Sequence, residues 1–259
     1  MKILISNDDG IAAPGLRALR DALDGMGEAR VVAPDGERSA VGMAITLTKA
    51  LRAKRWPSAE EEFGLALSGT PADCVKVGTS RELGERPDWV FSGINLGPNT
   101  GVSALYSGTV AVATEAAVAG IPSAAFSLDT FTNPRWETAR RATRLVAGWL
   151  LEGRLGTDPD TCWNVNIPNV PWEELKGVRV TRMGASRFLE HYEERKDPWG
   201  NPYYWMQGEL IELDSAEDTD LRAVREGYVS LTPLGLDRTA EGARRRGVEV
   251  LAREGLGLA

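Results

Sequence analysis

Asp8 and Asp9 stand side by side directly after the apolar run Ile3-Leu4-Ile5 and before Gly10. A short apolar run closed by turn residues has the pattern of a buried parallel strand. In open α/β sheets, ligands bind just beyond the carboxyl ends of the strands. Two adjacent carboxylates there repel each other, and partial burial adds to the cost. A cation between them would remove that cost. Ser39 follows a second strand-like run, Arg30 to Ala33, and its Pro34-Asp35-Gly36 turn. Asn95 follows a third, Trp89 to Phe91, in a loop rich in Gly and Asn. If the three strands are parallel, their loops share one rim and offer two carboxylates, a hydroxyl and an amide carbonyl. That all-oxygen set suits a hard divalent ion such as Mg²⁺ or Mn²⁺, with water or phosphate completing the shell. Taken singly, Asp, Asn and Ser are ordinary turn residues, so convergence carries the expectation. Ser107-Gly108-Thr109 opens a helix rich in Ala and Val on the same rim. Free N–H groups and the positive dipole end there suit an anion, although Ser and Thr are also common N-caps.

The elements that must hold these residues alternate. Helical spacing runs from Leu16 to Met26, a short helix spans Pro71 to Val77 after Gly69-Thr70, and an amphipathic helix spans Arg135 to Leu151. Strands are expected at Ile121 to Leu128, Asn164 to Ile167 and Val178 to Thr181, and a hairpin joins Ile45–Leu51 to Phe63–Ser68. This βαβα order predicts an α/β fold, a Rossmann-like, mostly parallel sheet with helices on both faces. The rhythm changes after about residue 183. Residues 187–208 are polar and aromatic, and Gln207–Leu213 with Gly227–Thr232 reads as antiparallel strand material. The expectation is a single domain over 1–259 with 184–235 as an oligomerisation arm or hairpin extension, then a charged terminal helix from Leu236 to Leu251. Exposed aromatics such as Tyr203, Tyr204 and Trp205 need a cover, for which a subunit interface is the plain choice.

Composition narrows the chemistry. The net charge of −7 argues against general nucleic-acid binding. A single histidine, His191, removes most His-dependent triads and His-rich metal centres. Cys74 and Cys162 lie far apart and form no metal-type pair. No stretch approaches the roughly 20 apolar residues of a membrane span. With no signal-type start, the expectation is a cytoplasmic protein without membrane partners. The first turn lacks the Gly-x-Gly-x-x-Gly of dinucleotide sites. Its acids are adjacent, not two apart as in haloacid-dehalogenase phosphatases.

Longer stretches carry a resemblance. They are Ser6-Asn7-Asp8-Asp9-Gly10 with Ala13-Pro14-Gly15; Ala33-Pro34-Asp35 followed by Arg38-Ser39; and Gly69-Thr70-Pro71-Ala72-Asp73-Cys74-Val75. Next come Ser92 to Gly101 (SGINLGPNTG), Tyr106-Ser107-Gly108-Thr109-Val110, Asn164-Val165-Asn166-Ile167-Pro168, Tyr203-Tyr204-Trp205, and Gly227-Tyr228-Val229-Ser230 with Thr232-Pro233-Leu234. In this order they resemble the SurE family of survival-protein nucleotidases across nearly the whole chain. The resemblance implies a metal-dependent phosphomonoesterase acting on nucleoside monophosphates, assembled as a homodimer or homotetramer through a hairpin and C-terminal segment. It places metal ligands at Asp8, Asp9, Ser39 and Asn95, and phosphate contacts at Asn99, Ser107, Gly108 and Thr109. Two chemical paths stay open: attack by water activated at the metal, or Asp8 or Asp9 as nucleophile or general base. Many members carry a histidine where this chain has Ala12, and an acid where it has Val102-Ser103. A regulatory nucleotide binder without turnover, and a broader phosphatase taking 3′-nucleotides or short polyphosphate, are the competing readings.

Overall fold

The computed structural model describes the chain except residues 59–62, 81–83, 157, 159, 255 and 257–259, and the side chain of Arg187. Strand β1 (Lys2–Ser6) lies in the middle of a nine-stranded sheet. It pairs in parallel with β2 (Glu28–Pro34) on one side and with β5 (Trp89–Leu96) on the other. Beyond β2 come β4 (Gly64–Leu67), parallel, and then β3 (Ala53–Trp56), antiparallel, at the edge. Beyond β5 come β6 (Ser123–Asp129) and β7 (Thr161–Pro168), both parallel. The chain runs from β1 outward to β2 and returns on the opposite side as β5. The crevice between β1 and β5 is therefore the point where the winding reverses, the usual ligand position in such sheets.

Two helical layers enclose the sheet. Helices α1 (Pro14–Ala22) and α4 (Trp136–Leu151) cover one face, where Ile3, Ile5 and Phe91 meet Leu16, Leu19 and Val146. Helices α2 (Pro71–Gly78) and α3 (Gly108–Val118) cover the other, where Leu4 and Val90 meet Val75, Val112 and Ala116. Alternate residues of β1 thus bury against opposite layers, which is why this strand is apolar throughout. Helix α4 buries Ala139, Ala142, Val146 and Leu150, a stripe at helical spacing. Helix α2 starts with a reciprocal cap: Thr70 Oγ1 accepts from the Asp73 amide, and Asp73 accepts from the Thr70 amide.

Three expected elements differ. Residues 45–51 form loop, not strand, and the hairpin partner of β4 is β3. Alternation at Ile45-Thr46-Leu47 looks like a strand, but its polar groups are committed to the cap of α2. Asp73 accepts from the Thr46 amide at 3.0 Å and from its hydroxyl at 2.6 Å, and Thr70 donates to the Ala44 carbonyl at 2.6 Å. Gln207–Leu213 and Gly227–Thr232 are both antiparallel strand material, as expected, but they lie in different sheets. Strand β10 (Pro202–Ile211) pairs with β9 (Arg187–Lys196) in a two-stranded hairpin, and β11 (Val229–Gly235) enters the main sheet. There it lies antiparallel to β7 and parallel to β8 (Val178–Val180). Together with α5 (Asp220–Arg225), whose Leu221 and Val224 are buried, β11 belongs to the body, so only residues 187–211 project as a hairpin. The last helix, α6 (Glu241–Arg253), starts five residues later than expected and is exposed along its length. Among the described residues, no helix is long and apolar enough to cross a membrane.

Candidate functional site

The turn after β1 is shaped by Asn7. Its side chain donates to the Gly10 carbonyl at 3.1 Å and accepts from the Gly10 amide at 3.2 Å. This closes the loop and leaves the carboxylates of Asp8 and Asp9 at the crevice. The N-terminus of α3 then approaches unusually closely. A methyl group on Gly108 would lie 2.6 Å from Asp8 Cβ and 2.8 Å from Asp8 Oδ2. Glycine is therefore a steric requirement here. The Thr109 hydroxyl donates to Asp8 Oδ1 and stands 3.5 Å from Asn95 Oδ1. Ser107 caps the helix, its Oγ accepting from the Val110 amide at 3.1 Å.

Asn95 is reached by a distortion of β5. The strand extends to Leu96 instead of ending at Phe91, and its pairing with β6 slips between Ser92 and Asn95. Gly93 occupies the slip with φ +118°, and a Cβ there would meet the Phe126 carbonyl oxygen at 2.2 Å. Only glycine tolerates both conditions. Asn95 Nδ2 donates to the Gly97 carbonyl at 2.7 Å, which turns the other end of the amide, Oδ1, toward Thr109.

Electrostatics sharpen the picture. Burial raises the Asp8 carboxyl above its ordinary range, partly offset by the Thr109 hydroxyl and by backbone amides including those of Gly108 and Thr109. Burial also raises Asp9, to about 7, and the neighbouring charges of Asp8 and Glu37 push the same way. Among the described residues, no Lys or Arg pairs with either carboxylate. Two half-dehydrated acids held together without a counter-cation, with an amide oxygen opposite, are the donor chemistry that a hard divalent ion satisfies.

The expected site residues separate into three groups. Asp8, Asn95, Gly108 and Thr109 meet in the crevice, with Asp9 beside Asp8 and Ser107 capping the helix start. Ser39 sits exposed on the rim: the Arg38 amide donates to the Asp8 carbonyl at 2.8 Å, and the Ser39 hydroxyl donates to Glu37 at 2.5 Å. Asn99 is buried behind the loop. Its amide nitrogen donates to Ser127 at 2.8 Å, and its backbone is gripped by Asn164 and Asn166. Sequence reasoning did not weigh Glu37, whose nearby charge adds to the raised Asp9 carboxyl. The Thr109 hydroxyl, expected on a phosphate, donates to Asp8 in this structure. The Pro34-Asp35-Gly36-Glu37 turn was the available signal for Glu37.

Fold and site together define a doubly wound α/β protein with an acidic, oxygen-lined centre facing a helix N-terminus at its switch point. The chain belongs to the family described as survival protein SurE, whose sequence profile matches residues 3–190. It is 48% identical over 239 residues to a protein of Kosmotoga olearia named 5′-nucleotidase SurE, covering 90% of this chain and 92% of that one. It is 45% identical over 241 residues to the protein of the same name from Petrotoga mobilis, covering 92% and 94%. The crystal structure of the SurE protein from Aquifex aeolicus superposes with a TM-score of 0.82 at 42% identity, covering 95% of this chain and 98% of that one.

Proposed function

We propose that this protein is a 5′-nucleotidase that hydrolyses nucleoside monophosphates to nucleoside and inorganic phosphate. Mg²⁺ or Mn²⁺ would be held by Asp8, Asp9, Ser39 and Asn95. The observation that carries the reading is the packing of the N-terminus of α3 against Asp8 at the β1/β5 crevice, where Gly108 abuts the Asp8 side chain and the Thr109 hydroxyl donates to it. The names borne by its relatives support the choice of nucleoside monophosphate.

A bound divalent ion supplies positive charge to phosphoryl oxygens and acidifies bound water. The chain's own groups do the rest. Asp8 is fixed by Thr109, so the carboxylate keeps one orientation. The start of α3 brings its positive dipole end to the transferring phosphoryl group, while its own amides serve Ser107 and Asp8. Ser107 and Asn99 are assigned phosphate-side roles, Ser107 by fixing the helix start and Asn99 by fixing the loop that leads to it.

The first test is phosphate release from a panel of 5′- and 3′-monophosphates and short polyphosphate, with and without chelator. Release from the 5′-monophosphates that chelator abolishes is the expected result. Binding without release identifies a regulatory protein, and equal rates across the panel identify a broad phosphatase. Ser39→Ala is expected mainly to weaken cation binding, because Ser39 is a neutral, exposed donor on the rim. Activity should fall about tenfold at low Mg²⁺ and recover at high Mg²⁺ or Mn²⁺. A loss that excess cation leaves unchanged removes Ser39 from the ligand set.

The hairpin is assigned to subunit contact in a homodimer or homotetramer. Trp199, Tyr204 and Trp205 are exposed on it, 84%, 59% and 56% respectively, more apolar surface than a lone hairpin keeps in water. Replacing residues 188–210 by a short turn should lower the mass measured by light scattering; an unchanged mass moves the interface elsewhere. Both cysteines are free and buried, which suits a reducing compartment such as the cytoplasm.

A further inference from the structure

Asp220 is fully buried, at the first position of α5, and its carboxylate does not serve α5 alone. Oδ2 accepts from the Gly101 amide at 2.7 Å, across 119 residues of sequence. Oδ1 accepts from the Gly184 amide at 3.0 Å and from the Leu221 amide at 2.8 Å. The two remote donors lie in two functional places. Gly101 opens the short 3-10 turn Gly101–Leu105, which runs into the Ser107 cap of α3. Gly184 lies three residues before the hairpin strand β9.

The same junction is tightened by contacts that bypass Asp220. The Val102 amide donates to the Ser186 carbonyl at 2.9 Å. Gly101 has φ +53°, and a Cβ there would fall 2.1 Å from Ser186 Oγ. Upstream, Asn99 is clamped to β6 and β7 through Ser127, Asn164 and Asn166. Asn95 needs no such help, because it is registered against Ser127 in the β5–β6 pairing. The stretch between Asn99 and Ser107 is thus anchored at its start by asparagines and at Gly101 by one buried carboxylate.

We propose that Asp220 is a positioning residue for catalysis. By joining the root of the hairpin to the Gly101 turn, it sets where the Ser107-Gly108-Thr109 helix start stands relative to Asp8 and Asp9. The proposal rests on the nucleotidase reading for its kinetic consequences, but its structural half does not. A buried carboxylate that accepts three amide hydrogens is strongly held, and loss of any one acceptor leaves a buried N–H unpaired. Asp220→Asn makes that loss directional. The amide oxygen can keep the Gly184 and Leu221 donors. The new NH₂ then faces the Gly101 N–H, donor against donor, and the active-site loop is the part released.

The experiment compares Asp220→Asn with wild type below the melting transition, by kinetics, by cation titration and by hydrogen exchange. Exchange at Gly101 and Val102 should quicken by about tenfold or more while the amides of β1 and β6 keep their protection. The kcat should fall, and the inhibition constant of inorganic phosphate should rise, by about tenfold to a hundredfold, the scale of a misplacement of an ångström or less. Affinity for Mn²⁺ should change clearly less than phosphate inhibition does, because Asp9 and Asn95 follow β1 and β5 and only Asp8 leans on Thr109. A loss of stability alone would not separate phosphate affinity from cation affinity in this way. Gly101→Ala, which wedges the same junction from the other side, gives the second variant and should move kcat and phosphate inhibition in the same directions. Unchanged kcat and phosphate inhibition in folded Asp220→Asn overturn the proposal, as does Gly101 exchange at the wild-type rate. Failure of the nucleotidase reading would show separately, as a wild-type protein that releases phosphate from no monophosphate while the exchange result still decides the role of Asp220.

Discussion

Replacing Asp9 by Asn should abolish catalysis and at the same time make the cation-free protein more stable at pH 8. Both effects come from one carboxylate. In the folded chain Asp9 is held near pH 7 by burial, then by Asp8, then by Glu37. In the unfolded chain it titrates near 3.9. Between about pH 4 and 7 the folded state therefore binds more protons than the unfolded state, so stability falls as pH rises through that window. Above about pH 7 the full cost of the charge is present. The Asp9→Asn variant carries no such charge. In EDTA at pH 8 it should melt higher than wild type, by roughly 1–3 kcal/mol of stability, the ordinary range for a single substitution. At pH 4 the two should nearly coincide. Added Mg²⁺ should raise the wild-type melting temperature and leave the variant almost unmoved, since ligand binding to the native state stabilises by mass action. Turnover should drop by about three orders of magnitude or more, as expected when a group that organises transition-state charge is lost. A variant that melts lower than wild type at pH 8 in EDTA contradicts the electrostatic account. One that retains turnover contradicts the assignment of Asp9 to the centre.

Asp8 should behave differently, which makes the pair informative. Its carboxylate accepts from the Thr109 hydroxyl, and the amides of Gly108 and Thr109 act on it to lower its pKa against the effect of burial. Asp8→Asn would turn an NH₂ group toward some of those donors. Turnover should fall comparably, but no gain in stability should accompany it, because relief of charge is offset by a buried donor facing donors.

What the sequence made legible follows from which interactions are local. Ile3-Leu4-Ile5 could only be buried on both faces, so a central parallel strand and a ligand-bearing turn after it were readable at once. The cap at Thr70-Asp73 and Pro14 at the first turn of α1 are also local signals, and α1, α2 and α4 stand within a few residues of expectation. Misreadings fall where distant residues decide. Residues 45–51 alternate like a strand, but Asp73 takes the Thr46 amide and hydroxyl. The antiparallel material after residue 200 was visible, but its partners were not. Pattern does not say that β10 pairs with β9 while β11 slides between β7 and β8. The site shows the same division. Asp8, Asp9 and Asn95 were legible as oxygen donors at strand ends. That the Thr109 hydroxyl points at Asp8, and that Asn99 is spent on its own loop, depend on how closely α3 and β7 approach.

That approach is the subject of the second large effect. Gly108→Ala adds a methyl group that would stand 2.6 Å from Asp8 Cβ and 2.8 Å from Asp8 Oδ2, well inside contact distance. Neither partner can yield cheaply. Asp8 follows directly on the turn closed by Asn7, and its carbonyl holds the Arg38 amide at 2.8 Å. Helix α3 is packed along its length through Val112 and Ala116 on the sheet and tied to α2 by Lys76 and the buried Glu115 at 2.5 Å. The helix start must retreat, taking its N–H groups and the Thr109 hydroxyl away from the carboxylate pair. The expected result is a fall in kcat/KM of about a hundredfold or more, with a stability loss of only about 1–3 kcal/mol for the overpacked contact. Thr109 gives the control for direction. Thr109→Ser keeps the hydroxyl and should retain most turnover, whereas Thr109→Val leaves Asp8 without that donor and should lose it with little change in fold. Near-normal kcat/KM in Gly108→Ala, measured on protein whose melting confirms the fold, would mean that the separation between α3 and Asp8 is not what sets the rate.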